Sequence, residues 1–209
     1  MILYSYWRSS AAYRVRIALA MKGIAHEVRT VDLRTGKHRD PAYLGVHPQG
    51  LVPCLVDGDV AITQSLAIIE YLDELYPEPA LLPKDPAGRA RVRAAAAVIA
   101  SDIHPINNLR VLNYLKAELG QPQAVLDRWM AHWIDDGFTA LEASAGAPYL
   151  FGDRVTMADL CLVPQFYNAR RFGVDLSAFP RLSAVEGNLL ALPGFAAAHP
   201  DKQPDADAR

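Results

Sequence analysis

The apolar positions of this chain recur with two periods, and the period changes along its length. Ile2-Leu3-Tyr4 is a short apolar run of the kind that forms a strand, and beyond it Val15, Ala18 and Leu19 recur at i, i+3 and i+4. A strand therefore passes into an amphipathic helix across Arg8, Ser9 and Ser10. Gly23 is a natural helix stop, and residues 26–31 have the β-branched alternation of a second strand, which completes a βαβ unit. Residues 34–50 are polar and punctuated by Gly36, Pro41, Gly45, Pro48 and Gly50, predicting an irregular connection with at most a short helix. In residues 51–62 two apolar runs flank Asp57-Gly58, a hairpin signal. Pro53 heads the first of these strands, where it cannot donate to a ladder. A cis Val52-Pro53 bond there would turn the backbone of Val52 toward a ligand, and an extended peptide-like molecule could pair with that edge. Thr63-Gln64-Ser65 then opens a helix carried by Leu66, Ile68, Ile69, Leu72 and Leu75, ending before Pro77 and Pro79.

From Leu81 onward the strand period is gone. Asp85-Pro86 is a helix start, with Asp85 as cap and Pro86 at the first helical position. Alanine-rich residues 87–101 continue that helix, and Pro105 is expected to kink it before Leu109, Leu112 and Leu115 resume the period. Further helices are predicted over about 122–144, 156–172 and 178–191, with boundaries good to a few residues. Val155-Thr156-Met157-Ala158-Asp159-Leu160 reads as a capping box with a hydrophobic staple, a folding motif whose threonine is worth about 0.5–2 kcal/mol. The polar tail from His199 is expected to be poorly ordered at its end. The predicted organisation is an α/β domain over residues 1–80 followed by an all-helical domain over residues 86–209.

Composition narrows the function. A chain of 209 residues can bury a substantial core, and 21 basic against 23 acidic residues make it near neutral, which argues against a general nucleic-acid binder. No run of about 18 apolar residues is present and no basic segment followed by an apolar one opens the chain, so a soluble, cytoplasmic protein with no membrane partner is expected. Cys54 and Cys161 sit apart in apolar surroundings as buried free thiols of a reducing compartment, and no CxxC motif supports a dithiol activity.

The chemistry concentrates at two helix starts. The first turn of a helix carries unpaired N–H groups and a partial positive charge, so it can hold an anion, with a serine hydroxyl as a further donor. Ser9 and Ser10 lie at one such start and Gln64-Ser65 at another. Each can equally be read as a simple cap, and both readings stand on these residues alone.

A small α/β domain followed by helices, with Val52-Pro53 and Gln64-Ser65 so placed, resembles the cytosolic glutathione transferases, whose first domain has a thioredoxin-like fold. The resemblance spans nearly the whole chain. Ser9-Ser10 followed by Arg14-Val15-Arg16-Ile17-Ala18-Leu19 is similar to the signature of the zeta class, and residues 102–108 and 155–164 are similar to its bacterial isomerases of maleyl diacids. Two departures stand out: Ala11 replaces the usual cysteine and Tyr13 the common tryptophan. A role that depends on that cysteine cannot operate here.

The resemblance implies glutathione as cofactor, lying along residues 1–80, with its sulfur served catalytically by Ser9 and Ser10. Val52 beside cis Pro53 would pair with its backbone and Gln64 and Ser65 would meet its γ-glutamyl end. His38, His104 and Asn108 would complete its site. Arg8, Arg110 and Arg171 are the matching positions for substrate carboxylates, a task suited to the bidentate guanidinium. The implied reaction is isomerisation of maleylacetoacetate to fumarylacetoacetate in aromatic catabolism. Thiolate addition would lower the order of the double bond, and elimination after rotation would return the thiol. Maleylpyruvate is the alternative substrate, conjugation or dehalogenation of small electrophiles an alternative activity, and a non-catalytic interaction module a third reading. A homodimer is implied, with no metal and no nucleic-acid partner.

Overall fold

The computed structural model describes residues 1–207, which fold as two compact units: Met1–Leu81 joined by the segment from Leu190 onward, and Leu82–Leu189. In the first unit β1 (Ile2–Ser5), α1 (Ser10–Met21) and β2 (Glu27–Thr30) form the βαβ unit, with the two strands parallel. The connection that follows holds a 3₁₀ turn at Lys37–Arg39 and the short helix α2 (Pro41–Leu44). The hairpin is β3 (Cys54–Asp57) and β4 (Val60–Thr63). Its turn is Gly58-Asp59, one residue later than Asp57-Gly58, because Asp57 still pairs with Val60 and Gly58 takes the left-handed conformation at φ 57°. Helix α3 (Ser65–Leu75) completes a thioredoxin-like layer on a sheet of order β2-β1-β3-β4.

The core of this unit joins Leu3 and Leu55 from the sheet to Val15, Ile17 and Leu19 of α1 and to Ile68, Ile69 and Leu72 of α3, all fully buried. Each such side chain stabilises the fold by about 1.5–3 kcal/mol on burial. Helix α1 is buried continuously from Ala12 to Leu19, so one covering helix is not enough for it. Its second cover is α9 (Pro193–Ala198), whose Phe195 and Ala198 are buried. The sequence predicts that this segment belongs to a helical domain over residues 86–209; in the structure the described residues from Leu190 to Asp207 group with the first unit, where α1 needs an apolar partner. The tail is also held beyond α9. The Trp7 N–H donates to the Asp205 carboxylate at 3.0 Å, and Arg34 makes a two-pronged ion pair with Asp207 at 2.7 and 2.9 Å. The end of the tail, at Ala208 and Arg209, lies outside the described residues.

The second unit is helical. Asp85 caps α4 (Pro86–Ala97) through the Gly88 N–H at 2.7 Å. The sequence predicts a kink at Pro105, yet the helix changes earlier: Val98–Ile103 is π-helical, and the His104 N–H reaches back to the Ile99 carbonyl at 2.9 Å. Then come α5 (Leu109–Ala117), α6 (Gln123–Ser144), α7 (Met157–Arg171) and α8 (Pro180–Leu190). A Cβ at Gly137 of α6 would fall 2.4 Å from Ile103 Cδ1, so the missing side chain lets the π-helical segment seat against α6. Phe138 stacks on Phe166 at 4.8 Å between ring centroids and meets Phe179 edge-on at 5.4 Å. The capping box is formed: Thr156 donates its N–H at 2.7 Å and its hydroxyl at 2.8 Å to the Asp159 carboxylate, which also accepts the Leu150 N–H at 2.9 Å. Both cysteines are buried and neither forms a disulfide among the described residues. Among the described residues no helix is long and apolar enough to cross a membrane.

Candidate functional site

Strand register brings four strand ends to one edge of the sheet. Tyr4 faces Cys54, Cys54 faces Thr63, and Ser5 faces Thr30. The exits of β1, β2 and β4 and the entry of β3 therefore share one edge. From that edge emerge the β1–α1 loop with Arg8 and Ser9, the long connection with His38, the Val52-Pro53 pair, and Gln64-Ser65. The N-termini of α1 and α3 begin there too, so two sets of unpaired helical N–H groups sit at one end of the unit.

Ser9 is the N-cap of α1, and its Oγ accepts the Ala12 N–H at 3.2 Å. Capping uses a lone pair and leaves the hydroxyl proton available to donate. The cap and the anion-site readings are thus compatible, since the bond that ends the helix also orients the hydroxyl. Ser10 is the first helical residue and is buried. Arg8 lies over the Trp7 ring, with Cζ 5.0 Å from its centroid, and its buried Nε has no hydrogen-bond partner among the described residues.

At the second helix start the structure corrects the cap reading. Ser65 is inside α3, and its buried hydroxyl accepts from Arg14 Nη1 at 3.2 Å. The N-cap position belongs to Gln64, whose side chain makes no capping bond. Gln64 holds φ at +69°, the one positive value outside glycine among the described residues. A non-glycine residue held there costs on the order of 1–3 kcal/mol and is found where function fixes the backbone. The guanidinium of Arg14, 1% exposed, sets a cation directly behind the start of α3.

The Val52-Pro53 bond is cis, as expected. The N–H and C=O of Val52 take part in no backbone hydrogen bond among the described residues. The Tyr43 hydroxyl donates to the Leu51 carbonyl next door, and burial of Tyr43 raises its pKa and keeps it a donor. Gly50, at φ +60°, lies so close beneath the loop that a Cβ would meet the His38 carbonyl at 2.5 Å. Residues 36–51 are therefore folded onto themselves, with His38 near the approach to Val52. Burial, and then the charge of Arg39, hold the His38 imidazole below its usual pKa, and its buried Nδ1 has no partner among the described residues.

The remaining candidates belong to the second unit. His104 ends the π-helical segment, Asn108 caps α5 by accepting the Arg110 N–H at 3.1 Å, and Arg110 is exposed. Capping occupies the Asn108 carbonyl oxygen and leaves its amide as a donor. Trp129 ties this stretch to α6 by donating to the Ile106 carbonyl at 3.0 Å. Arg171, exposed at the end of α7, stacks on Phe172 with Cζ 4.7 Å from the ring centroid, and Phe172 packs against the cluster of Leu112, Leu126 and Met130. Loop 104–110 and the end of α7 thus converge within this unit. Neighbouring Arg170 is spoken for by an ion pair with buried Glu186.

Several groups outside the predicted site residues also shape these places. Arg14, Arg16, Tyr43 and Gly50 act by what they touch at a distance in sequence. Two arginines inside an otherwise apolar helix were the available signal, since a buried guanidinium needs partners.

Residues 8–75 match the model of the glutathione S-transferase N-terminal domain, and residues 123–185 that of the C-terminal domain. A probable maleylacetoacetate isomerase of Vibrio cholerae is 51% identical over 99% of this chain and 98% of its own. Among solved structures, a maleyl pyruvate isomerase described as a bacterial zeta-class glutathione S-transferase superposes with a TM-score of 0.96, at 46% identity over 99% of this chain and all of the other. A maleylacetoacetate isomerase of Methylobacterium extorquens, solved with malonate and glutathione, superposes at 0.95, with 40% identity over the whole of both chains. With both domain models matched and full-length relatives near half identical, the chain belongs to the glutathione S-transferase family, in its zeta class.

Proposed function

We propose that this chain catalyses the glutathione-dependent isomerisation of maleylacetoacetate to fumarylacetoacetate, with maleylpyruvate as the alternative substrate. The observation that carries the reading is the shared sheet edge, where a capping serine with a spare proton, an unpaired Val52 backbone and a strained Gln64 meet in a chain similar end to end to isomerases. These groups fit glutathione: Val52 offers one N–H and one C=O to a peptide backbone, and Gln64-Ser65, backed by Arg14, suits a carboxylate.

Held by these groups, glutathione would supply a thiolate nucleophile able to lower the order of the maleyl double bond reversibly. Ser9 donates its hydroxyl proton to the sulfur and, with the N–H groups of α1, favours the thiolate at neutral pH. Ser10 lends the same helix start a second hydroxyl. By resemblance, His38, His104 and Asn108 would be further contacts for the tripeptide. Arg8, Arg110 and Arg171 hold the two substrate carboxylates and the charge that develops on the conjugated oxygen. Ala11 leaves this chemistry without a protein thiol, so it runs on the cofactor's sulfur. On this reading residues 1–80 bind the cofactor and the helical residues after 86 the substrate. The enzyme works in the cytoplasm in the breakdown of tyrosine and other aromatic compounds, as a homodimer. Exposed Val60, Leu75 and Tyr76 offer apolar surface for the partner copy.

Steady-state assays with each maleyl substrate and substoichiometric glutathione test the reaction. Fumaryl product should form over many turnovers with the thiol undiminished, whereas stoichiometric loss of glutathione would make the protein a conjugating transferase. Arg110→Ala should raise KM for the diacid about tenfold or more, the worth of a charge-assisted bond, and leave glutathione affinity within about twofold. Equal losses of both would remove Arg110 from the substrate site. Tyr43→Phe frees the Leu51 carbonyl and should raise KM for glutathione about three- to tenfold with the bound thiol's titration unchanged, which absorbance of the thiolate reads directly.

A further inference from the structure

The loop between β1 and α1 is fastened from behind by Arg16 of the helix that follows it and by Asp205, 198 residues away from Trp7. The guanidinium of Arg16, only 4% exposed, donates from Nη1 to Ser5 Oγ at 3.1 Å and to the Tyr6 carbonyl at 3.3 Å, from Nη2 to the Trp7 carbonyl at 3.0 Å, and from Nε to the Ala198 carbonyl of α9 at 3.2 Å. The Tyr6 carbonyl also takes the Ser9 N–H at 3.0 Å. On the other side of the same peptide segment the Trp7 N–H is taken by the Asp205 carboxylate at 3.0 Å. Both backbone groups of Trp7 are thus bound, one by α1 and one by the C-terminal segment, while its ring carries the Arg8 guanidinium.

The geometry points to a clamp in which Arg16 and Asp205 are positioning residues for the reaction: they fix the Tyr6-Trp7 backbone and thereby the placement of Ser9 against the sulfur and of Arg8 against a substrate carboxylate. This rests on the function proposed above, and it adds the C-terminal segment, which holds none of the residues assigned to the site, to its machinery. A loop held at only its strand and helix ends can rotate its two middle peptides. With Trp7 bound on both sides, the Ser9 hydroxyl and the Arg8 side chain are presented from a fixed base, which is the arrangement that catalysis by fixed dipoles requires.

Asp205 is the group to test, because its loss removes one bond at the surface of the unit whereas loss of Arg16 removes four from its interior. Two readouts keep the clamp separate from the reading it rests on. Amide exchange needs no ligand: in Asp205→Ala the Trp7 amide should exchange at least about tenfold faster than in the parent, as expected for one lost hydrogen bond, while Asp205→Asn, which keeps an acceptor, should stay within about twofold. An Ala variant that exchanges like the parent, or an Asn variant as fast as Ala, overturns the clamp. The second readout is the titration of bound glutathione by thiolate absorbance together with kcat. In Asp205→Ala the thiol should titrate at higher pH and kcat should fall about three- to tenfold at nearly constant glutathione affinity. An unchanged titration and an unchanged kcat overturn the positioning role. Absence of a thiolate signal in the parent protein instead overturns the assigned function, with the exchange result still deciding the clamp.

Discussion

Ser9→Ala is expected to lower kcat for isomerisation about 10²- to 10³-fold, the effect of removing one fixed donor from a developing or held anion. The bound thiol should at the same time titrate closer to its ordinary value near about 8.5. The same oxygen caps α1 through the Ala12 N–H, so the variant should also lose about 0.5–2 kcal/mol of stability. The two effects separate cleanly. Well below the unfolding temperature a missing cap leaves turnover nearly intact, whereas a missing donor to the sulfur does not. Ser9→Thr keeps both the acceptor and the proton and should retain most of the activity and the stability. Turnover of Ser9→Ala equal to the parent's would remove Ser9 from the chemistry and leave it a cap.

Asp159→Ala should be the most damaging change in the second unit, destabilising the protein by about 3–5 kcal/mol in urea unfolding. Its carboxylate is fully buried and accepts three donors, the Thr156 N–H and hydroxyl and the Leu150 N–H. Each buried donor left without a partner costs about 1–3 kcal/mol. Burial pushes the Asp159 carboxyl pKa up while those three bonds pull it down, so the residue holds its place by hydrogen bonding rather than by pairing with a cation. Thr156→Ala removes one of the three bonds and should cost about 0.5–2 kcal/mol. A loss below about 1 kcal/mol in Asp159→Ala would mean that water replaces the carboxylate, and the box would then be a minor contributor to the fold.

What was legible in the chain was what neighbours in sequence decide. The turn from strand to helix at Ser9, the hairpin at Gly58 and the box at Thr156 are each specified within a few residues by period, by turn chemistry and by a cap. The conformation of Gln64 was not legible, because glutamine carries no signal for positive φ and the strain is imposed by the chain on either side. The π-helical stretch at Val98–Ile103 was likewise silent, since nothing in those residues announces it and Gly137, whose missing side chain makes room for it, lies on another helix. No element is predicted over Phe195 and Ala198, because a helix of six residues is too short for periodicity to reveal it or the face it turns to α1. The site itself divides in the same way. Serines at helix starts are local facts, whereas the roles proposed for His38, His104, Asn108 and the three arginines come from resemblance. Arg14 and Arg16 lay in plain view, and only their partners, Ser65 and Ala198, reveal what they are for.

The return of the C-terminal segment to α1 bears on how the protein is made. Arg16 and the Ala198 carbonyl that it binds are separated by 182 residues, so α9 leaves the ribosome well after α1. The unit that contains α1 is therefore completed only after Leu82–Leu189 has been made, while that second unit, continuous in sequence, can close as soon as it has emerged. Throughout that interval one side of α1 lacks its permanent cover. A nascent chain stalled before Pro193 would present an apolar helix to chaperones and, by the same token, a β1–α1 loop that is not yet fastened.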